Sequence, residues 1–232
     1  MARARTELKH VVLEEAKALR ESGLWKLQRR YYERVAVRAW TDSVVPNFVT
    51  SNAFIARSYA RTLLAFAQDR WDEAKRNGMD LARDTPGPVY VLEVGSGHGK
   101  LCFHVIHELL GLRAHWPAVR AGIASDDHFS GFPVVWVMTD FSERTVAFLQ
   151  AHPYLKSVLS HGVAQTGVFD AESEGAFRLE LLPSGDVLDA AFLARQRASV
   201  AVVCNYVLDT LRQDAFLARD GKLWRANLSV HS

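Results

Sequence analysis

The chain has 232 residues, 49% of them hydrophobic, and a formal net charge of +2 at pH 7. That length fits one sizeable domain or a domain with an extension, and the apolar content suffices for a buried core. The near-neutral charge gives no reason to expect nucleic acid as a partner, and no apolar run is long enough to span a membrane. Cys102 and Cys204 lie in apolar runs, as thiols of a reducing compartment do. We therefore expect a cytoplasmic protein, and a mitochondrial location stays open.

The first 84 residues predict a helical N-terminal extension. Residues 7–38 have a helical pattern, and residues 51–78 predict one long helix with a recurring apolar face. The stretch between them contains a proline and polar breakers, which are typical of a loop. The sequence "DTPGP" at 84–88 then indicates a boundary between two parts of the chain.

Residues 85–232 predict a Rossmann-like α/β domain. Apolar runs rich in Val, Leu and Ile alternate there with helical patterns, and the runs lack the strict alternation of half-exposed strands. Such a pattern indicates a mostly parallel sheet with helices on both faces, whose ligands bind at the carboxyl ends of the strands. The candidate strands are "VYVLEV", "VVWVMTD", "GVAQTGVFD", "SVAVVCNYVL" and "KLWRANLSV".

The stretch "VLEVGSGHGKL" at 91–101 predicts a glycine turn between a strand and a helix. Its spacing is Gly95-x-Gly97-x-Gly99. A P-loop needs a glycine five residues before Gly99, where Val94 stands, and a hydroxyl after Lys100, where Leu101 stands. The dinucleotide fingerprint needs Gly-x-Gly-x-x-Gly. The turn fits neither pattern. The structural alternative is a tight turn without a ligand, although three glycines carry an entropic cost.

Glu93 precedes the glycines and favours a cationic ligand. A carboxylate at this strand end would repel a pyrophosphate and attract an ammonium or sulfonium group. S-adenosylmethionine carries both groups, and its carboxylate suits the amides at a helix N-terminus. We therefore predict that the turn binds S-adenosylmethionine.

Two further acids are candidates for the cofactor site. Asp140 ends the strand "VVWVMTD", and its carboxylate there can accept both ribose hydroxyls. Its rivals are Asp126 and Asp127 in "AHWPAVRAGIASDDHFSGFP", a predicted loop between the glycine turn and this strand. Asp170 ends another apolar stretch and can accept from the adenine amino group. The alternative for Asp140 and Asp170 is a polar turn at a strand end.

Asn205 ends the run "AVVCNY", where the reacting methyl group should point. Asn205 and Asp209 have an equally weighted alternative role, which is to cap the following helix. His104 and His107 are three residues apart, but a solvated helix face explains them better than a metal, so we predict no metal site.

The glycine stretch resembles motif I of class I S-adenosylmethionine-dependent methyltransferases. "YYERVAVRAWTDSVVPNFVTSNAFIARSYARTLLAF" and "VVCNYVLDTLRQDAFLARDGKLWRANL" are similar to segments of the MidA-like group, which includes complex I assembly factors. The resemblance implies a methyltransferase, with Ser96 and Thr50 joining Glu93, the glycines and the two acids at the cofactor. It also implies an arginine of a protein partner as substrate, oriented by Asp209, with Asn205 beside it.

The alternatives are a small-molecule methyltransferase and a non-catalytic cofactor-binding or assembly module. The class has a seven-stranded sheet, and only five candidate strands are present, so we expect a core that lacks its last strands. The run "SVAVVCNYVL" is then left at an open edge that favours self-association, unless "KLWRANLSV" folds back to cover it.

Overall fold

The computed structural model describes residues 11–231, which divide into two compact units. One unit comprises residues 35–207, and the other combines the described residues before 35 with those from 208 onward. In the described part of the chain, no helix has the length and apolar character needed to cross a membrane.

The elements alternate along the chain as the sequence predicts beyond residue 88. The described strands are β1 (Val12–Ala18), β2 (Val89–Glu93), β3 (Val134–Asp140), β4 (Ala164–Val168), β5 (Leu179–Glu180), β6 (Val187–Leu188), β7 (Ser199–Val203), β8 (Phe216–Arg219), β9 (Lys222–Arg225) and β10 (Asn227–His231). The described α-helices are α1 (Gly23–Val35), α2 (Arg38–Thr41), α3 (Ala53–Arg76), α4 (Lys100–Gly111), α5 (Pro117–Arg120), α6 (Glu143–Ala151), α7 (Lys156–Ser160) and α8 (Ala190–Arg195).

The larger unit is built on a four-stranded sheet in the order β4-β3-β2-β7, and all three pairings are parallel. This confirms the predicted parallel sheet flanked by helices. The chain leaves β4 at one edge and returns as β7 beyond β2, so the strand order reverses between β2 and β7. In open α/β sheets, ligands bind beyond the carboxyl ends of the strands at such a point.

The sheet has an apolar core on each face. Alternate residues of β2 point to opposite faces, so Val91 packs in one cluster with Trp136 while Leu92 packs in the other with Val137. Helices α3 and α4 contribute to the first cluster, and Phe192 of α8 packs edge-on against Tyr90 in the second. Both faces of the strands are therefore buried, which explains their near-continuous apolar sequence.

Helix boundaries in this unit follow local capping signals. The side chain of Asn52 accepts from the Ile55 amide at the start of α3, and that of Ser142 accepts from the Thr145 amide at the start of α6. The single long helix predicted over 51–78 is confirmed as α3. The predicted loop after α4 instead contains the short helix α5 among its turns.

The prediction of a helix over residues 7–38 is wrong for residues 12–18, and residues 7–10 lie outside the described part of the chain. Residues 12–18 form β1, which pairs antiparallel with β10, and the helix α1 begins only at Gly23. The local periodicity of this segment favours a helix, but pairing with a strand about 200 residues away in the chain makes it a strand. The N-terminal extension is therefore not wholly helical.

The segment "KLWRANLSV" does not extend the parallel sheet. Its first part is β9, which pairs with β8 in a hairpin, and its last part is β10, which pairs with β1. Among the described residues β7 pairs only with β2, so the prediction that "SVAVVCNYVL" lies at a sheet edge is confirmed. Val202 of β7 is 60% exposed.

Candidate functional site

The glycine turn joins β2 to α4 with a left-handed backbone at all three glycines. Gly95, Gly97 and Gly99 have φ angles of +68°, +54° and +73°, which disfavour any residue with a Cβ. The Ser96 amide donates to the Thr139 carbonyl at 2.8 Å, and this bond ties the turn to β3. Ser96 is therefore part of the turn's own framework, because its hydroxyl also bonds to backbone atoms of Glu93 and Thr139.

Each glycine of the turn is also packed against another side chain. A Cβ on Gly95 would lie 2.7 Å from Val207, and one on Gly99 would lie 2.7 Å from Leu149. A Cβ on Gly97 would lie 3.0–3.2 Å from three atoms of the Trp40 indole. The glycines thus have a packing role that the sequence did not reveal, and this role gives the alternative of a ligand-free turn a structural basis.

Glu93 does not present its carboxylate to an open cavity. It is 5% exposed, and its Oε2 accepts a 2.7 Å hydrogen bond from the Trp136 indole. Burial raises the pKa of Glu93 to about 7, although hydrogen bonds from Trp136 and Ser96 act in the opposite direction. The carboxyl group therefore lies inside the core behind the turn, and the expectation that it attracts a cationic ligand stays a prediction.

Asp140 lies at the carboxyl end of β3, next to the glycine turn. The backbone N–H of Ser142 donates to its Oδ1 at 2.9 Å, and the backbone N–H of Gly97 also bonds to the carboxylate. Burial raises the pKa of Asp140 to about 6, and these two hydrogen bonds lower it. A single carboxylate thus links the end of one strand to the central glycine of the turn.

The other acids lie in turns. Asp170 is half-buried two residues beyond β4, and its Oδ1 accepts from the Glu172 amide, as a turn residue does. Asp126 and Asp127 are exposed, and Asp127 accepts from the Phe129 amide within its own loop.

Asn205 lies just beyond β7, on the edge of the sheet where the strand order reverses. Its Oδ1 accepts a 2.9 Å hydrogen bond from the Tyr59 hydroxyl of α3, and its Nδ2 is buried without a hydrogen-bond partner among the described residues. The next residue, Tyr206, has a left-handed φ of 53°. Asn205 therefore does not cap a helix in the structure, and no sequence pattern identifies Tyr59 as its neighbour.

The two remaining predicted residues, Thr50 and Asp209, belong to different compact units. Thr50 is half-buried in a turn shortly before α3, in the same compact unit as the sheet. Asp209 is exposed and belongs to the other compact unit, so it is not part of a described arrangement with Asn205.

Two aromatic residues at the turn were not singled out by the sequence patterns. Trp40 of α2 stacks on His98, with ring centroids 6.5 Å apart and planes 25° apart. The Nε2 atom of His98 is buried and has no hydrogen-bond partner among the described residues. Burial lowers the pKa of His98 to about 4, and Lys100 and His152 act in the same direction, so this imidazole is neutral.

Metal-binding side chains do not cluster in the described part of the chain, where no group of three or more His, Cys, Asp or Glu residues is suited to hold an ion. The rings of His104 and His107 instead contact Phe103 on α4.

Comparison of the chain with protein-family models, with curated proteins and with solved structures gave no match.

Proposed function

We propose that the chain binds S-adenosylmethionine beyond the carboxyl ends of β2 and β3 and acts as a class I methyltransferase. The observation that carries the proposal is Asp140, a buried carboxylate at the end of β3 that also bonds to the central glycine of the turn. An acid at this position of a Rossmann-like fold accepts the hydroxyls of a ribose.

The groups around the turn fit the parts of this cofactor. A carboxylate has about four lone-pair positions, so Asp140 can accept ribose hydroxyls in addition to the two backbone N–H groups that it already binds. The left-handed glycines leave backbone amides at the start of α4, where a helix N-terminus favours the carboxylate of the methionine part. Glu93 supports the turn from behind by fixing Trp136.

The cofactor would supply an electrophilic methyl group, to which a substrate nucleophile bonds while the carbon–sulfur bond breaks and S-adenosylhomocysteine leaves. The contribution of the chain is to hold the reactants in line. Asn205, oriented by Tyr59 at the strand-order reversal, is the polar side chain proposed to face the substrate. If the nucleophile is protonated, its proton must pass to a base during the reaction.

An arginine of a protein partner is the proposed substrate, on the resemblance to the MidA-like group alone. A small-molecule substrate is the alternative for the same cofactor site. The proposed location is the cytoplasm, and no nucleic-acid partner is proposed, on the grounds of composition and charge.

A non-catalytic binding or assembly module is the second candidate function. It is favoured by Trp40 and Val207, which lie against Gly97 and Gly95 and occupy the positions that a ligand would approach. In an assembly module the glycine turn serves only for packing and binds no nucleoside cofactor, whereas a cofactor-binding module binds the cofactor without transferring its methyl group.

Parallel titrations with S-adenosylmethionine, S-adenosylhomocysteine, NAD and ATP distinguish these functions. The proposal expects the thermal unfolding midpoint to rise with the first two ligands, because a ligand that binds only the folded state stabilises it. Stabilisation by NAD or ATP alone contradicts the proposal. If none of the four ligands shifts the midpoint and calorimetry detects no heat of binding, the non-catalytic module is supported. Transfer of a labelled methyl group to a protein extract separates an enzyme from a module that only binds the cofactor.

A further inference from the structure

The indole of Trp40 lies on the part of the glycine turn that a bound nucleoside would need to reach. Three of its ring atoms are within 3.2 Å of the position that a Cβ on Gly97 would take. The amide of this same glycine bonds to Asp140, the acid assigned to the ribose. The Trp40 indole and the proposed ribose-binding acid therefore both contact Gly97.

Beneath the indole is a polar atom that the covered arrangement leaves unsatisfied. Trp40 stacks on the His98 ring, and the buried Nε2 of His98 has no hydrogen-bond partner among the described residues. A buried polar group without a partner destabilises the state that contains it, and it regains a partner when water or a ligand reaches it. Movement of the indole away from the turn would therefore let water or a ligand bond to Nε2 of His98.

The segment that carries Trp40 is bounded by two unusual backbone conformations. Ala36 and Ser43, on either side of α2, have left-handed φ angles of 50° and 59° although neither is a glycine. Such strained residues tend to occur in clamps and switch regions. Across the segment, the Val45 amide donates to the Ala39 carbonyl at 2.8 Å, and the Asn47 side chain donates to the Trp40 carbonyl at 3.3 Å. These two bonds join the segment to the residues that follow it.

We propose that Trp40 is a displaceable cover of the glycine turn: residues 36–43 shift as a unit about Ala36 and Ser43, and the nucleoside part of a ligand takes the place of the indole at Gly97. This inference rests on the proposed function for the identity of the ligand. It also accounts for how a turn that is packed by the protein's own side chains can serve as a binding site.

The test compares wild type with Trp40→Ala in calorimetric titrations with S-adenosylhomocysteine and with 5′-methylthioadenosine. If the covered form makes up about 90% of the free protein, removing the cover strengthens the binding of both ligands about tenfold, because less of the binding energy is used to open the site. Trp71→Ala is the matched control, since Trp71 follows Arg70, which bonds to Gly87 at the opposite, amino end of β2. Its affinity is expected to equal that of wild type. Weaker binding by Trp40→Ala alone overturns the proposal, because it shows that the indole is a fixed wall of the site.

A second measurement does not depend on ligand affinity. Protein labelled with 5-fluorotryptophan gives a fluorine resonance for Trp40, which Trp40→Phe identifies by its loss. The cover predicts exchange of this resonance between two environments in the free protein, detected by relaxation dispersion, and a shift on addition of S-adenosylhomocysteine. A single resonance without exchange, unchanged by a ligand that binds, overturns the cover. If no nucleoside binds wild type or Trp40→Ala, the proposed function fails, and the exchange measurement alone then decides whether Trp40 moves.

Discussion

The indole nitrogen of Trp136 donates a 2.7 Å hydrogen bond to Oε2 of Glu93, and both side chains are buried: Glu93 ends β2, and Trp136 lies within the adjacent parallel strand β3, opposite Val91. This pair places a carboxyl group in the apolar core directly behind the glycine turn. Burial without an opposite charge disfavours the ionised form, which is why the pKa of Glu93 rises to about 7.

Stability is expected to fall as the pH rises past the ordinary pKa of Glu93. That value is 4.5 and the folded-state pKa is about 7, so the folded protein retains a proton that the unfolded chain releases between these pH values. The unfolding free energy falls by roughly 3 kcal/mol in total, and the fall is complete just above pH 7. Glu93→Gln retains an acceptor for Trp136 and removes the ionisation. Urea unfolding at pH 5 and pH 8 is expected to show that the unfolding free energy falls less with pH for Glu93→Gln than for wild type.

Asp140 also has a raised pKa, so wild type alone does not isolate the effect of Glu93. The difference between wild type and Glu93→Gln does, because Asp140 is present in both. Glu143→Gln, at an exposed position, is the control and is expected to keep the wild-type pH profile. An identical pH profile for wild type and Glu93→Gln would show that the carboxyl group reaches solvent.

Gly99→Ala is expected to destabilise the protein more than Gly122→Ala. Both glycines have a φ of +73°, so the backbone strain of an alanine is the same at the two positions. A Cβ on Gly99 would lie 2.7 Å from Leu149, whereas Gly122 has no atom within 4 Å of that position among the described residues. The difference between the two variants is therefore the cost of overpacking, about 1–3 kcal/mol. Thermal unfolding measures it, and equal losses would contradict the tight packing at Gly99.

Tyr59→Phe is expected to lower the unfolding free energy by about 1 kcal/mol, because it removes the 2.9 Å hydrogen bond to Asn205. A double-mutant cycle with Asn205→Ala is expected to give a coupling energy of similar size, since the second change removes the acceptor. Ser58→Ala, on an exposed neighbouring position of α3, serves as the control. Additive losses would mean that the two side chains are not bonded in solution.

Asp140→Asn is expected to weaken binding of S-adenosylhomocysteine by about 10- to 100-fold, as the loss of hydrogen bonds to a charged group does. Asp126→Asn and Asp127→Asn provide controls of the same chemistry at exposed positions. Isothermal calorimetry on the three variants, with their folding checked by circular dichroism, measures the effect. If the controls lose affinity and Asp140→Asn does not, the ribose contact lies in the loop.

Self-association is expected to occur through β7 rather than through β4, although both are edge strands of the parallel sheet. The backbone of Thr166 in β4 exchanges two 2.8 Å hydrogen bonds with Leu182, whereas β7 pairs only with β2 among the described residues. An uncharged edge strand is a template for pairing with a second chain. For wild type, light scattering is expected to show a mass that rises with concentration. Val202→Lys in β7 is expected to abolish this rise, and Val168→Lys in β4 is expected to keep it. A wild-type mass that stays monomeric contradicts the prediction.

The local patterns of the sequence were sufficient where structure depends on neighbours in the chain. The apolar runs identified the four parallel strands, because strands buried on both faces need such runs. Asn77 and Gly78 mark the end of α3, and the glycine spacing identified a turn between β2 and α4. Each of these features is determined by side-chain periodicity, capping or backbone freedom within a few residues.

Only the tertiary structure decided which side chains meet. Val12–Ala18 became a strand because β10 lies beside it, although its local pattern favours a helix. Glu93 entered the core because Trp136 offers it a donor, and the indole of Trp40 came to lie on Gly97 across more than 50 residues of sequence. Contacts between distant residues depend on how the elements pack, and packing leaves no periodic signal in the sequence of either partner.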